Sequence, residues 1–245
     1  MLMRNRVHIL NVPVDNVSLA DAQNQIAEWL EAEQHCKIVV TPNTEIIMKA
    51  QKDPELLQII QSADLVVPDG IGLIYASRIL HKALQERVTG VDLMHQVLKY
   101  CHQHGKSIYI FGGKPGVAEK ASENISKSFP NIRIAGTTHG YFDVSEEEGI
   151  LDQINENSPD VLFVALGAPK QEKWIYKYRK RLQVKVAMGV GGSIDIWAGT
   201  AKRAPKIYQD LGLEWFYRLL KEPWRYKRMM ALPHFMVKVL FSRKK

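Results

Sequence analysis

Long apolar runs are absent from this 245-residue sequence: no stretch approaches the run of about 18 apolar residues that a membrane-spanning helix needs. The opening twelve residues are too few and too polar for a signal peptide ahead of a first strand. The expectation is a protein made and kept in the cytoplasm, with any membrane contact peripheral. Cysteine is scarce as well. Cys36 and Cys101 lie far apart and match no metal or redox spacing, so a disulfide scaffold is excluded and free thiols are expected. No repeat or low-complexity segment is visible. No Gly-x-Gly-x-x-Gly follows the first apolar run and no Gly-Lys-Ser/Thr loop occurs, which weakens dinucleotide oxidoreductase and NTPase readings.

Most of the chain also lacks a dominant charge. The formal net charge is +7, yet residues 202–245 hold twelve Lys and Arg against three acidic residues, a net of +9, so the preceding residues carry −2. A near-neutral body with a basic tail attracts polyanions, either nucleic acid or an anionic membrane surface. The bulk composition, 46% hydrophobic and 24% charged, suits a globular protein with a sizeable core.

What is present is an alternation. Short apolar runs at 7–12, 37–41, 65–67, 107–111, 132–137, 161–166 and 184–190 read as strands. Amphipathic segments between them read as helices: one capped by Ser18 with Asp21, then 44–51, 54–61, one containing Ile74 and Ile79, and 89–104, 115–128, 145–157 and 169–181. Short strands alternating with longer helices predict an α/β fold, a Rossmann-like, mostly parallel sheet flanked by helices. Beyond about Ile196 the alternation stops. Residues 1–195 are therefore expected to form the core. Residues 196–245 are expected to form a basic, aromatic helical appendage, interrupted by Pro223 and Pro233.

In an open α/β sheet ligands bind beyond the carboxyl ends of the strands. The turns there are Thr41-Pro42-Asn43, Pro68-Asp69-Gly70, Phe111-Gly112-Gly113, Gly167-Ala168-Pro169-Lys170-Gln171 and Gly191-Gly192-Ser193-Ile194-Asp195. Together they suggest a nucleotide-like ligand, its diphosphate lying against the helix N-termini after Gly113 and Gly167. Each glycine taken singly is simple punctuation. Asp69, between proline and glycine at a strand end, reads either as a general base or as a turn or capping aspartate. Arg87 reads as a phosphate fork or a surface ion pair, and Asp195 as a helix cap or a ribose contact. His102 and His104 fall on different faces of one helix, and no Asp-x-Asp turn follows a strand, so no metal site is expected.

The tail carries a second signal. Arg218, Lys221, Arg225 and Arg228 are spaced by three, four and three, which a continuous helix would gather on one face, although Pro223 splits the stripe. Interleaved aromatics such as Trp215, Phe216 and Trp224 suit an interfacial helix on anionic lipid, single-stranded nucleic acid, or a cap packed on the core.

Taken in order, the strand-end motifs resemble the WecG/TagA/CpsF family of glycosyltransferases over essentially the whole chain. The resemblance includes Glu86-Arg87-Val88-Thr89-Gly90, Gly189-Val190-Gly191-Gly192, Arg203-Ala204-Pro205 and the segment 215–228. It implies an inverting, metal-independent transfer without cofactor. N-acetylmannosamine would pass from a UDP-sugar donor to undecaprenyl-diphosphate-linked N-acetylglucosamine, in wall teichoic acid linkage-unit synthesis at the inner membrane face. It also implies Asp69 as catalytic base, Thr41, Asn43, Arg87 and Gln171 as pocket residues, and Arg218, Arg225 and Arg228 as appendage arginines closing on the donor diphosphate. The alternatives are a related transferase using UDP-N-acetylmannosaminuronic acid or another UDP-hexose and, from a different class, a nucleic-acid-binding α/β domain. Nucleic acid is not the expected partner. Exposed aromatic helices would equally serve a homo-oligomer when lipid is absent.

Overall fold

The structure, a computed structural model, describes residues 5–32 and 36–242, with the side chains of Arg225, Lys227 and Arg228 outside that description. The chain opens with a hairpin in place of the single strand expected over 7–12. Strands β1 (Arg6–Ile9) and β2 (Val12–Asp15) pair antiparallel, with Arg6 opposite Asp15. Leu10 and Asn11 turn the chain with φ of 49° and 63°, the left-handed pair that a tight two-residue hairpin needs. Buried Asp15 holds Arg6 at 2.7 Å and accepts the backbone N–H of Val66 at 2.7 Å, which ties the hairpin to the main sheet.

Helix α1 (Leu19–Glu31) starts at the Ser18–Asp21 capping box read from the sequence. Next come β3 (Lys37–Val40), α2 (Thr44–Ala50), α3 (Pro54–Ser62), β4 (Leu65–Val66), α4 (Ile71–Ile79) and α5 (Gly90–His104). The regular alternation continues through β5 (Ser107–Gly112), α6 (Val117–Ser128), β6 (Arg133–Thr138), α7 (Glu147–Asn157), β7 (Val161–Ala165), α8 (Lys170–Tyr178), β8 (Val186–Gly189) and α9 (Ser193–Trp197). Strands β3 to β8 form one parallel sheet in the order β4-β3-β8-β7-β5-β6. The expected α/β class with a parallel sheet is the observed one.

Successive strand residues serve opposite layers. Ile38, Tyr109, Phe111, Leu162 and Val164 pack with α2, α3, α7, α8 and the hairpin, whereas Val39, Ile108, Ile110, Phe163 and Met188 pack with α1, α5, α6 and α9. Burial on both faces is why these strands read as unbroken apolar runs. Cys36 and Cys101 are free thiols buried in these layers, where desolvation pushes each up to about 12. Strands β3 and β8 are neighbours, but the helices that leave them, α2 and α9, go to opposite faces. Such a divergence opens a crevice beyond the strand ends, the topological switch point of the sheet.

The tail contains α10 (Lys206–Asp210), α11 (Glu214–Lys221), a 3-10 turn at Pro223–Arg225, α12 (Tyr226–Met229) and α13 (Ala231–Ser242). Pro223 does split the basic stripe. Pro233 does not interrupt a helix: it lies in the first turn of α13, where a missing backbone N–H costs nothing. Helix α13 seats fully buried Phe235 and Val239 in the first layer, against α2 and α4.

Candidate active site

Because the six strands are parallel, their carboxyl ends share one edge, and the rim motifs meet there. At the switch point the Thr41 hydroxyl donates to the Gly189 carbonyl at 3.4 Å, joining the ends of β3 and β8. Asn43 is the N-cap of α2, its Oδ1 accepting the Ile46 N–H at 3.1 Å. Gln171 is buried in the first turn of α8. Its Oε1 accepts the Gly191 N–H at 3.2 Å and its Nε2 donates to Glu172 Oε1 at 2.8 Å. Gln171 lies so close to β8 that a Cβ at Gly189 would stand 2.7 Å from Nε2. The other Glu172 oxygen is buried without a partner, and burial pushes that carboxyl up.

The rim glycines serve the backbone first. Gly112 has φ of 131° and lies against Ala165, where a Cβ would come within 2.4 Å of the carbonyl. The Gly113 N–H donates to the Ala165 carbonyl at 3.0 Å, so the amides of Gly113 and Gly191 are both engaged within the protein. Gly167 leads through the cis Ala168–Pro169 bond into α8, and Gly192 precedes α9. Asp195, in the first turn of α9, faces the Thr200 hydroxyl at 3.5 Å, and its carbonyl accepts the amides of Thr200 and Ala201.

Asp69 stands at the end of the loop after β4, half-buried. Its backbone N–H donates to the carbonyls of Val67 at 3.0 Å and Pro42 at 3.3 Å, which fixes the loop against the neighbouring β3 turn. Its Oδ2 accepts the N–H of Gly90, the first residue of α5, at 3.4 Å. The N-cap of α5 is Thr89, whose hydroxyl accepts the Asp92 N–H at 3.2 Å, and the N-cap of α4 is Gly70. Asp69 is the N-cap residue of neither helix, although its carboxylate satisfies the first N–H of α5 from outside that helix. Burial, the largest influence, raises its pKa to about 6; the Gly90 N–H, Arg218 and Arg87 pull it down while Glu214 pushes it up. A carboxylate that ionises near neutrality, partly open beside the crevice, can accept a proton from a substrate hydroxyl.

Arg87 points from the core into the tail. Its Nη1 pairs with Glu214 Oε2 at 3.1 Å and its Nη2 donates to the Gln209 carbonyl at 3.0 Å. Arg218, one turn beyond Glu214, is close enough for its charge to act on Asp69. The side chains of Arg225 and Arg228 lie outside the described residues. Glu214, which the sequence did not single out, completes this region together with Arg203 and Asp92, to which it is linked by charge-assisted bonds. The available signal was Glu214 itself, one of only three acids in a tail of +9.

A cavity of about 660 Å³ opens elsewhere, below the starts of β3, β7 and β8, lined by Cys36, Asp160, Arg181 and Lys185 among others. It is at the amino ends of the strands, away from every residue above. Among the described residues no helix is long and apolar enough to cross a membrane. Of thirteen exposed large apolar side chains among them, ten lie between Ile207 and Phe241, Trp224 being 73% exposed, so uncovered apolar surface is concentrated in the tail.

Comparison with known proteins bears on this geometry. Residues 7–245 match the model of the glycosyl transferase WecG/TagA/CpsF family. A Bacillus subtilis N-acetylglucosaminyldiphosphoundecaprenol N-acetyl-beta-D-mannosaminyltransferase is 37% identical over 236 residues, 96% of this chain and 91% of the relative. The Bacillus spizizenii protein of the same name is 40% identical over 202 residues, 82% and 78% of the two chains. One from Staphylococcus aureus MRSA252 is 35% identical over 241 residues, 98% and 94%. With the match running from the first hairpin to the end of the tail, the chain belongs to the WecG/TagA/CpsF family of glycosyl transferases.

Proposed function

We propose that the protein moves N-acetylmannosamine from UDP-N-acetylmannosamine to N-acetylglucosaminyl-diphosphoundecaprenol, making a β-1,4 linkage in wall teichoic acid linkage-unit synthesis. The names of the relatives support the transferred sugar and the acceptor. Asp69 takes the proton from the acceptor hydroxyl as that oxygen bonds to the anomeric carbon. The bond from that carbon to the donor diphosphate breaks on the opposite side, and UDP leaves with the electron pair. One displacement inverts the centre and needs a single base. Thr41, Asn43, Gln171, Asp195 and the rim glycines shape the donor pocket, while Arg87 and Arg218, joined by Arg225 and Arg228, meet the charge on the departing diphosphate. No metal step is required in this scheme.

The observation that carries the reading is Asp69: a carboxylate in the loop beside the switch point, raised toward neutral pH by burial, and within the influence of Arg218 and Arg87. Residues 196–245 act in this scheme as a closing appendage that rests on the inner membrane surface, supported by their +9 charge and uncovered apolar side chains. The direct test is UDP release from UDP-N-acetylmannosamine with a short-chain lipid acceptor, comparing wild type with Asp69→Asn. A loss of about several hundredfold is expected from removing a general base. Retention of more than about a tenth of turnover would remove Asp69 from that role. Competition with UDP-N-acetylmannosaminuronic acid in the same assay separates the two donors.

A further inference from the structure

Two stretches distant in sequence interleave their charges beside Asp69. Asp92, in the first turn of α5, accepts both terminal nitrogens of Arg203, Nη1 at 2.6 Å and Nη2 at 2.8 Å. The Thr89 hydroxyl donates to the same carboxylate at 2.6 Å, fixing it on the helix end. Arg203 Nε reaches Glu214 Oε1 at 3.2 Å, and Glu214 Oε2 reaches Arg87 Nη1 at 3.1 Å. The order Asp92, Arg203, Glu214, Arg87 alternates in sign and crosses from core to tail and back. Side-chain exposures of 36, 23, 16 and 19% shield the chain of charges from solvent. Burial would lift the Asp92 carboxyl, yet the Arg203 fork and the Thr89 hydroxyl hold it below its ordinary value. A two-point arginine–carboxylate fork fixes angle as well as distance, and a partly shielded network outweighs an isolated surface pair.

The geometry connects this network to the reaction groups. Gly90, whose N–H meets Asp69, and Asp92, which grips Arg203, belong to the same first turn of α5. On the tail side Arg218 follows Glu214 by four residues, so both project from one face of α11. Resting on the reading of Asp69 and Arg218 given above, we propose that Asp92, Arg203 and Glu214 are positioning residues: an ion latch that seats α11 on the N-terminal end of α5 and so holds Arg218 toward Asp69. None of the three touches substrate in this scheme.

The test uses the full-length protein, with hydrogen exchange of residues 206–221 beside the kinetics of UDP release. For Arg203→Gln, exchange in that segment should quicken at least about tenfold while β5, β7 and β8 keep their rates. Turnover should fall about tenfold, chiefly in kcat, with the donor KM changed by less than about threefold, because misplacing Arg218 weakens contacts made late in the reaction. Asp92→Asn should do the same, and the double variant should be no worse than the poorer single within about twofold, since both break one fork. Arg203→Lys, which keeps the charge and loses the fork, should fall between wild type and Arg203→Gln. Glu214→Gln attacks the latch from the tail and guards against a variant that fails to fold. Exchange at the wild-type rate in Arg203→Gln and Glu214→Gln, or quickened exchange with unchanged turnover, or losses that multiply in the double variant, would each overturn the latch. Quickened exchange together with a fully active Asp69→Asn protein would keep the latch at α11 and discard Asp69 as the base.

Discussion

The sheet and the tail of this protein handle apolar surface in opposite ways. In residues up to about Ala198, apolar side chains are enclosed between helix layers, and the net charge is near zero. Among the described residues of the tail only Phe235, Val239 and Ala204 are buried apolar groups, whereas Leu220, Trp224, Leu240 and Phe241 are more than half exposed on a strongly basic background. A lone globular protein gains nothing from leaving such groups in water. The contrast sets a core closed on itself beside a tail that leaves apolar surface open and is attached to the core through α13 and a few ion pairs.

The largest effect that would sharpen this comparison lies in the core. Asp69→Asn should lower kcat by about several hundredfold, and the wild-type rate should fall with unit slope as the pH drops through about 6, where the carboxyl takes up a proton. A rate flat down to pH 5 would break the assignment. Next is the anchor of the tail. Phe235→Ala removes a fully buried ring and should cost about 3–5 kcal/mol, read as a lowered denaturant midpoint; a change below about 1 kcal/mol would mean that α13 is not part of the folded unit. Third, Leu220→Glu with Trp224→Glu on the exposed side should weaken binding to vesicles of anionic lipid by about tenfold or more. UDP affinity should stay within about twofold, and equal loss of both would erase the division of labour.

The smallest effect concerns stability. Burial raises the folded pKa of Asp69 to about 6, above the ordinary carboxylate range, so folding favours the protonated form. That contribution is complete below the unfolded value and is lost as the pH rises through about 6. Asp69→Asn should therefore melt about 2–5 °C above wild type at pH 7.5 and level with it near pH 4. An unchanged difference at both values would mean that burial does not act on this group.

The sequence made some of this readable and hid the rest for physical reasons. Strands β5, β7 and β8 were visible because both faces are buried, leaving unbroken apolar runs. Helix α1 announced itself through the Ser18–Asp21 pair, and Thr89, where the segment 89–104 was read to begin, does cap α5, whereas the caps Asn43 and Asp53 of α2 and α3 were not read as such. The first hairpin was hidden because Leu10 and Asn11 take left-handed backbone without a glycine to signal it. The rim residues were legible as a group, since strand ends in a parallel sheet must converge. Their partners were not. Nothing local tells that Gln171 would bond Gly191 or that Arg87 would find Glu214, because those pairs are set by tertiary packing across long separations in the chain.

The placement of the five tryptophans has a practical consequence. Trp29 and Trp174 are sealed in the core, Trp197 is packed against His95 with ring centroids 5.9 Å apart, Trp215 is half-buried beside Phe216 in α11, and Trp224 stands in solvent at the outer edge of the tail. Indole emission from the enclosed rings is insensitive to what happens outside, so a blue shift on adding lipid would report the two tail rings, Trp224 before the half-buried Trp215. The protein thus carries an intrinsic optical probe of its tail, one that tests the proposed lipid contact without any added label.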